Sequence, residues 1–352
     1  MNSMQKRFLI IYHNEDNDGL FSAALFLDYL MSKLHVDRSN IHLLGANYNT
    51  LKEFFDENPV DELHSKYGTI IMTDISSNDP NVMYQLYKEF DSDFIWCDHH
   101  KPIIDASYKH SFDACSGVRN INKSAILCAY EYLYDQLNEK YSQIHTNTDT
   151  KVFPEFFRIL SAWDSWSYEC EGYTKEYVRN INKGTTIEFN LNINKILEVV
   201  HFIVGIYNSE LDPKYEDDLI SSMYQFGKSL NDYDDITMEN IIKESGDCSW
   251  KVSIDDDTHN DSYIKACAIF HEGASNSLMF KSLKDSGIDI GLVFKHQPNG
   301  NWVLSMYNVD DNFWLHCGEF LKERYNGGGH KGAAGCTLNE KQFIKILQER
   351  KL

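Results

Sequence analysis

Short apolar runs alternate with longer segments of helical periodicity along the first half of the chain. Four of the runs have the length and composition of buried strands: Phe8–Tyr12, Ile41–Leu44, Thr69–Met72 and Phe94–Cys97. Apolar residues recur at helical spacing in three other segments: Leu20–Leu34, Asn81–Phe90 and Ser124–Leu137. This alternation predicts an α/β domain in which a parallel sheet carries helices on both faces.

The pattern changes in the second half. It is helical from Ile193 to about Gly246, with Asp and Lys between apolar positions, and strand-rich afterwards. The later predicted strands are Trp250–Ile254, Tyr263–Phe270, Ile290–Phe294 and Trp302–Tyr307, and helices are predicted at Phe313–Tyr325 and Glu340–Arg350. We therefore predict three parts: an α/β domain over residues 1–190, a helical connector over 191–246 and a smaller α/β domain over 247–352.

Acidic residues and histidines cluster where the predicted strands of the first domain end. The candidates are His13, Asp16 and Asp18 after the first run, Asp74 after the third, and Asp98, His99 and His100 after the fourth. Asp164 follows a further apolar segment, Phe156–Trp163. Because the carboxyl ends of parallel strands open onto one crevice, we expect these distant residues to converge there.

The chemistry of such a cluster indicates metal ions. Several carboxylates within a few ångströms repel one another and retain protons unless cations neutralise them. Carboxylate oxygens mixed with imidazole nitrogens suit Mn²⁺ best, with Mg²⁺, Co²⁺ or Fe²⁺ as alternatives. No cysteine pair has ligand spacing, which argues against a thiolate zinc site. The number of candidate ligands fits two ions that share a bridging carboxylate and activate a water for attack on phosphorus.

Structural alternatives exist for each cluster. Asp98-His99-His100 is compatible with a surface turn, and Asp74 with the N-cap of a following helix. Asp164 is compatible with a helix cap or a turn, and the triple glycine at 327–329 with a tight turn before a helix. The presence of all four clusters in order favours the functional interpretation.

This ordered set of motifs resembles the DHH phosphoesterases. The matching elements are His13-x-x-Asp16-x-Asp18-Gly19, a strand-end Asp74, Asp98-His99-His100 and a later Asp164. The segment Gly327-Gly328-Gly329-His330-Lys331-Gly332-Ala333-Ala334-Gly335 is similar to the signature of their usual partner domain, DHHA1. The resemblance covers nearly the whole chain. Its size and domain pairing are most like the nanoRNase type, phosphodiesterases of short oligonucleotides and cyclic dinucleotides.

The resemblance implies two ions with separate and shared ligands. His13 and Asp16 would hold one ion, and Asp18, His99 and Asp164 the other. Asp74 would bridge the two ions. Relatives space the first histidine and the first aspartate differently from the two-residue gap found here.

The same resemblance implies roles for other residues. Asp98 would fix the orientation of an imidazole, and His100 would contact a substrate phosphate. Gly327, Gly328, Gly329 and His330 would hold the distal phosphate or base of the substrate. Tyr307 lies in a segment where many relatives carry a substrate-binding arginine.

Composition narrows the substrate and the compartment. The net charge of −20 on 352 residues argues against a nonspecific groove for duplex DNA or long single strands, so a short oligonucleotide or nucleotide-type substrate is favoured. The eight cysteines show no paired spacing, which predicts a reduced, cytoplasmic protein. No apolar run reaches about 18 residues, so no association with a membrane through a spanning helix is expected.

We therefore predict a metal-dependent phosphodiesterase that releases nucleoside monophosphates from short oligonucleotides, cyclic dinucleotides or nucleotide conjugates of antiphage signalling. A pyrophosphatase or polyphosphatase could use the same metal site. A RecJ-like single-strand exonuclease and a non-catalytic nucleotide-binding module are two further alternatives. Relatives are often dimers, which makes a homodimer an additional expectation.

Overall fold

The computed structural model describes residues 7–141, 153–207, 212, 214–253, 263–273, 279–310 and 313–352. By their internal contacts, the residues form two compact units, Met1–Leu230 and Asn231–Leu352. The division falls within the segment 191–246 that the sequence pattern suggested as a helical connector.

A four-stranded parallel sheet forms the centre of the first unit, in the order β2-β1-β3-β4. Its strands are β1 (Phe8–His13), β2 (Ile41–Ala46), β3 (Thr69–Thr73) and β4 (Phe94–Cys97). All five residues of β3 are buried, as expected for a central strand covered on both faces. The parallel arrangement brings the carboxyl ends of all four strands to one edge.

Helices cover both faces of this sheet. The helices in chain order are α1 (Asn17–Asp28), α2 (Tyr48–Glu57), α3 (Val60–Lys66), α4 (Pro80–Phe90), α5 (Lys101–His110), α6 (Ala125–Tyr141), α7 (Glu155–Asp164), α8 (Lys175–Phe189), α9 (Ile193–Tyr207) and α10 (Lys214–Ser245). Alternate residues of β1 belong to different cores. Ile10 shares a core with residues of α1, α6, α7, α8 and α9, whereas Leu9 and Ile11 share one with residues of α2, α3, α4 and α5. A π-helical turn, Tyr29–Lys33, extends α1.

The second unit contains a six-stranded mixed sheet in the order β5-β6-β7-β8-β10-β9. Its strands are β5 (Asp247–Ser253), β6 (Tyr263–Phe270), β7 (Ile290–His296), β8 (Trp302–Asn308), β9 (Gly328–Gly329) and β10 (Ala333–Leu338). Only β6 and β7 are parallel neighbours; the other pairs are antiparallel. Helices α11 (Cys317–Tyr325) and α12 (Glu340–Glu349) pack on this sheet through a core that includes Phe294 and Leu321.

The predicted α/β fold class is confirmed, as are the four predicted strands of the first sheet. The helix predicted at Phe313–Tyr325 begins later, at Cys317, because the side chain of His316 accepts a hydrogen bond from the backbone of Glu319 and caps it. Ile254, the predicted end of one strand, lies outside the described residues. Within the part of the chain that the structure describes, every helix is too short or too polar to cross a lipid bilayer.

Helices α8 and α10 approach closely at two glycines. A Cβ atom on Gly184 would lie 2.1 Å from the backbone oxygen of Met223, and one on Gly227 would lie 1.8 Å from that of Asn180. Neither position can accept a side chain unless the two helices separate. The contact matters for the site because the residues of α8 on either side of Gly184 hold the Asp16–Asp18 segment, as described below.

Substitution of Gly184 by alanine should therefore destabilise the first unit. We expect a loss of about 1–3 kcal/mol in the free energy of unfolding, the usual cost of forcing an extra group into a closely packed contact. Thermal or urea unfolding of Gly184→Ala would measure it. Glu188 is exposed and lies one turn further along α8. The free energy of unfolding of Glu188→Ala should therefore stay within about 0.5 kcal/mol of that of the unaltered protein. Equal midpoints for the two variants would contradict the close contact.

Candidate metal centre

The carboxyl edge of the first sheet brings together the residues that follow its strands. His13 is the last residue of β1, Asp74 follows β3 directly, and His99 comes two residues after β4. Asp164 arrives from a different direction, as the last residue of α7. In the described residues, three groups of potential ligands have their donor atoms within 4.8 Å of one another. His13, Asp16 and Asp74 form the first and Asp18, His99 and Asp164 the second, and these two include all six predicted metal ligands. Asp74, His99 and His100 form the third, which links the other two.

The first group is centred on His13. Its Nδ1 lies 2.7 Å from Asp16 Oδ2 and 3.7 Å from Asp74 Oδ2. Asp16 is also the N-cap of α1, where its Oδ1 accepts a hydrogen bond from the backbone nitrogen of Gly19 at 3.0 Å. The helix cap therefore fixes the carboxylate that faces His13.

The second group is centred on His99. Its Nε2 lies 3.2 Å from Asp164 Oδ2 and 3.9 Å from Asp18 Oδ2. The carboxylate of Asp18 accepts hydrogen bonds from the backbone nitrogens of Ala125, at 2.6 Å, and Ile126, at 2.9 Å. These amides belong to the first turn of α6, so a residue of α1 is held by the amino end of a helix more than a hundred positions later.

Asp74 connects the two groups. Its Oδ2 faces His13, and its Oδ1 lies 3.3 Å from His99 Nε2. The backbone of Asp74 adopts a left-handed conformation, with φ +59°, and its nitrogen donates to the carbonyl of Cys97. The following helix α4 is capped by Asp79 and not by Asp74, so the capping alternative is wrong. The side chain is only 2% exposed and lies between both imidazoles.

Asp98 lies behind the cluster and organises the two histidines. It is fully buried, and its Oδ1 accepts hydrogen bonds from the backbone nitrogens of His99 and His100, at 2.7 and 3.1 Å. The same oxygen lies 2.7 Å from His100 Nδ1, and Trp96 Nε1 donates to Oδ2 at 3.0 Å. Because a carboxylate only accepts, the proton of His100 lies on Nδ1. Burial opposes the charge of Asp98, but the charge of His100 and these hydrogen bonds lower the pKa of Asp98 to about 2.

Three other carboxylates of the cluster, Asp18, Asp74 and Asp164, have raised pKa values. Burial, followed by the charge of neighbouring aspartates, raises the pKa of Asp164 to about 7 and that of Asp74 well above its ordinary value. Burial also raises the pKa of Asp18. Although burial disfavours a charged His13, its interactions with Asp16 and Asp74 raise the pKa of that histidine to about 10. Without cations, the cluster therefore holds protons that a metal would displace.

Two unsatisfied oxygens show that the residues fit metal ions. Asp74 Oδ1 and Asp164 Oδ2 are buried and accept no hydrogen bond from the described residues. Both oxygens face the same nitrogen, His99 Nε2, at 3.3 and 3.2 Å. One imidazole nitrogen cannot satisfy two buried carboxylate oxygens, and a divalent cation is the partner that suits these oxygen and imidazole donors. The two groups, with Asp74 facing both imidazoles, suit a pair of ions.

Three residues near the centre were missed by the sequence analysis. The aromatic ring of Tyr48 lies 6.3 Å from the ring of His13 and 6.3 Å from that of His100, measured between centroids. Glu15 Oε2 lies 3.8 Å from His13 Nε2. Tyr48 follows β2 closely, so the strand-end argument applied to that strand would have found it. Asn17 occupies the position between Asp16 and Asp18, and its Nδ2 donates to α8 at Asn182 Oδ1 and Thr186 Oγ1, at 2.8 and 2.9 Å.

The predicted binding loop lies in the second unit. Gly328 and Gly329 pair with Gly335 and Ala334 in an antiparallel hairpin that follows α11. The hairpin continues into β10, so the alternative of a tight turn directly before a helix is wrong. Gly329 has φ +140°, a conformation that favours glycine. The carbonyls of His330 and Lys331 accept hydrogen bonds from the first two amides of α11. That helix terminus, a common anion site, is thereby occupied by the loop itself, while the His330 side chain is exposed.

No protein-family model and no curated protein matches this chain. Solved structures do match. RecJ from Thermus thermophilus, in complex with Mn²⁺, has a TM-score of 0.51 at 12% identity over 98% of this chain and 51% of that one. The pGpG-specific phosphodiesterase PggH from Vibrio cholerae has a TM-score of 0.46 at 15% identity, covering 98% of this chain and 97% of that one. An exopolyphosphatase-related protein from Bacteroides fragilis has a TM-score of 0.47 at 14% identity, covering 98% and 91%. The likeness to RecJ shows a shared fold.

If Asp74 contacts both ions, its replacement should weaken the binding of both. We expect Asp74→Asn to bind Mn²⁺ with reduced stoichiometry, because an amide offers one neutral oxygen where a carboxylate offers two charged ones. Isothermal titration with Mn²⁺ would measure this against about two ions per unaltered chain. Asp79→Asn is the matched control, since Asn also caps helices and Asp79 is exposed. Full Mn²⁺ binding by Asp74→Asn would assign the bridge to another carboxylate.

Proposed function

We propose that this protein is a metal-dependent phosphodiesterase, and that the first unit is its catalytic domain. The observation that carries the proposal is the pair of ligand groups connected by Asp74, in which Asp74 Oδ1 and Asp164 Oδ2 are buried and accept no hydrogen bond from the described residues. When bound there, two divalent ions would supply Lewis-acid stabilisation of a phosphoryl group and a water of lowered pKa. RecJ, which shares the fold, was determined with Mn²⁺, and this supports Mn²⁺ as the first ion to test.

His100 is the side chain best placed to meet the substrate phosphate. Its Nδ1 is bound to Asp98, which leaves Nε2 as the nitrogen available for a ligand. Burial disfavours the imidazolium, but the charge and hydrogen bond of Asp98 outweigh burial and raise the pKa of His100. His100 is therefore suited to donate a charge-assisted hydrogen bond from Nε2 to a phosphoryl oxygen. Asp98 does not contact the phosphate itself; its role is to set the tautomer and the ring orientation of His100.

The substrates proposed are short oligonucleotides and nucleotide second messengers, including cyclic dinucleotides and nucleotide conjugates, with nucleoside monophosphates as products. The net charge of −20 supports short substrates over long strands, because long nucleic acids require extended basic surfaces. Pyrophosphate or polyphosphate hydrolysis is compatible with the same ligands and is the principal alternative.

We propose further that the second unit recognises the substrate through the hairpin at Gly327, Gly328, Gly329 and His330. The exposed imidazole of His330 is a donor suited to a phosphate or a base edge. Loop carbonyls bound to α11 fix the position of the hairpin.

Hydrolysis should depend on added metal and on a short substrate. We expect EDTA-treated protein to be inactive and Mn²⁺ to restore cleavage of linear dinucleotides, cyclic dinucleotides or nucleotide conjugates, with products identified by mass. Pyrophosphate and a long single strand belong in the same panel. Cleavage of pyrophosphate alone would favour the phosphoanhydride alternative, and full activity after complete metal removal would exclude the mechanism.

Replacement of His330 should weaken substrate binding without affecting the metal. His330→Ala should lower kcat/KM on the preferred short substrate by about 10-fold or more, the cost of losing a hydrogen bond to a charged group. Mn²⁺ stoichiometry should stay unchanged, and bis(p-nitrophenyl) phosphate should be cleaved at the normal rate. His296→Ala, another exposed histidine of this unit, is the control. Loss of Mn²⁺ from His330→Ala would contradict a role in recognition.

A further inference from the structure

Tyr48 is held firmly at the carboxyl edge of the first sheet. It is the first residue of α2, directly after the N-cap Asn47. A reciprocal capping box between Asn47 and Thr50 fixes this first turn. The Asn47 side chain also donates to Glu15 Oε1 at 3.0 Å, which ties the turn to the segment that carries His13 and Asp16. The capped first turn of α2 therefore fixes the backbone of Tyr48 and the direction in which its side chain leaves the helix.

The ring of Tyr48 lies against two histidines of the candidate metal centre. Tyr48 comes two residues after the edge strand β2, whereas His100 follows β4, the edge strand on the other side of the sheet. The Tyr48 ring nevertheless lies 6.3 Å from each of the His13 and His100 rings, in an edge-on arrangement with His100 at 87°. His100 in turn has a ring nitrogen within 4.8 Å of a carboxylate oxygen of Asp74, which follows β3. Tyr48 is therefore close to the histidines on both sides of Asp74.

The hydroxyl of Tyr48 has no structural explanation. In the part of the chain described by the structure, the side chain makes the two ring contacts and no hydrogen bond. The contacts with His13 and His100 need only an aromatic ring, which phenylalanine would supply equally well. The side chain is 37% exposed, so it remains accessible to a ligand. A phenol is also a neutral donor, which lets it stand close to several carboxylates without adding charge.

We propose that the hydroxyl of Tyr48 donates a hydrogen bond to a non-bridging oxygen of the substrate phosphate. This inference rests on the proposed phosphodiesterase function and adds a substrate contact at the end of β2, the one strand of the first sheet that supplies no candidate metal ligand. Tyr48 and His100 then approach the phosphate as two hydrogen-bond donors. The bond strengthens as negative charge accumulates on the phosphoryl oxygens during attack, so it acts on the chemical step as well as on binding.

The decisive variant removes the hydroxyl and keeps the ring. Tyr48→Phe should lower kcat/KM for the preferred phosphodiester about 10- to 100-fold, mostly through kcat, with Mn²⁺ stoichiometry unchanged. Tyr48→Ala should be at most a few-fold worse than Tyr48→Phe. Tyr84→Phe is the matched control, because Tyr84 is equally exposed at 37% and lies on α4 outside the cluster. Normal kcat/KM for Tyr48→Phe, with a defect only in Tyr48→Ala, would reduce Tyr48 to a packing role and overturn the inference.

A binding measurement separates this inference from the proposed function. Inorganic phosphate can be titrated into the Mn²⁺-loaded protein by calorimetry, whether or not any substrate is turned over. Tyr48→Phe should raise the Kd for phosphate about 10-fold over both the unaltered protein and Tyr84→Phe. If the unaltered protein hydrolyses no phosphodiester but this difference appears, the proposed function fails and the Tyr48 contact stands. Equal phosphate affinity of Tyr48→Phe and the unaltered protein would overturn the contact.

Discussion

The concentration of negative charge at one edge of the first sheet is the constraint on which this protein's site depends. Asp16, Asp18, Asp74 and Asp164 converge there with two imidazoles, and burial raises the pKa of three of the four carboxyls. Asp16 is the exception. Burial opposes its charge, but its hydrogen bond to His13 outweighs burial and lowers its pKa. A cluster of this kind must be neutralised by protons or by cations, and the choice between them decides whether it performs chemistry.

The surroundings of the cluster divide its members into two kinds. Asp16 and Asp18 accept hydrogen bonds from backbone amides, one at the start of α1 and the other at the start of α6. Asp74 and Asp164 each keep a buried oxygen with no such bond. Helix α8 also holds the Asp16–Asp18 segment, because two of its side chains accept hydrogen bonds from Asn17. Helix α8 in turn packs against α10 at Gly184. The geometry of two candidate ligands thus depends on helix packing some distance along the chain.

Much of this arrangement could be predicted from the sequence because strand ends in a parallel sheet share one edge. That rule alone anticipates that His13, Asp74 and His99 lie together. It does not predict the two hydrogen bonds from α6 to Asp18, which join residues 107 and 108 positions apart. Tyr48 was missed because an aromatic residue at the start of a helix has the same sequence signature as core packing. Helix α3 was missed because its seven residues form only about two turns, which carry little periodicity. Helices α2 and α5 were missed as well, although Asn47 directly before α2 was a readable N-cap signal.

The double use of Asp18 has a consequence for how this site can change over evolutionary time. Its carboxylate satisfies two amides of α6 whether or not a metal is present, so its loss would weaken the fold together with the site. Asp164 Oδ2 has no such duty. A descendant of this protein that no longer used metal would therefore be free to replace Asp164 early and would retain Asp18. A surviving aspartate at position 18 in a homologous chain is accordingly weak evidence of activity, whereas an aspartate at position 164 is strong evidence.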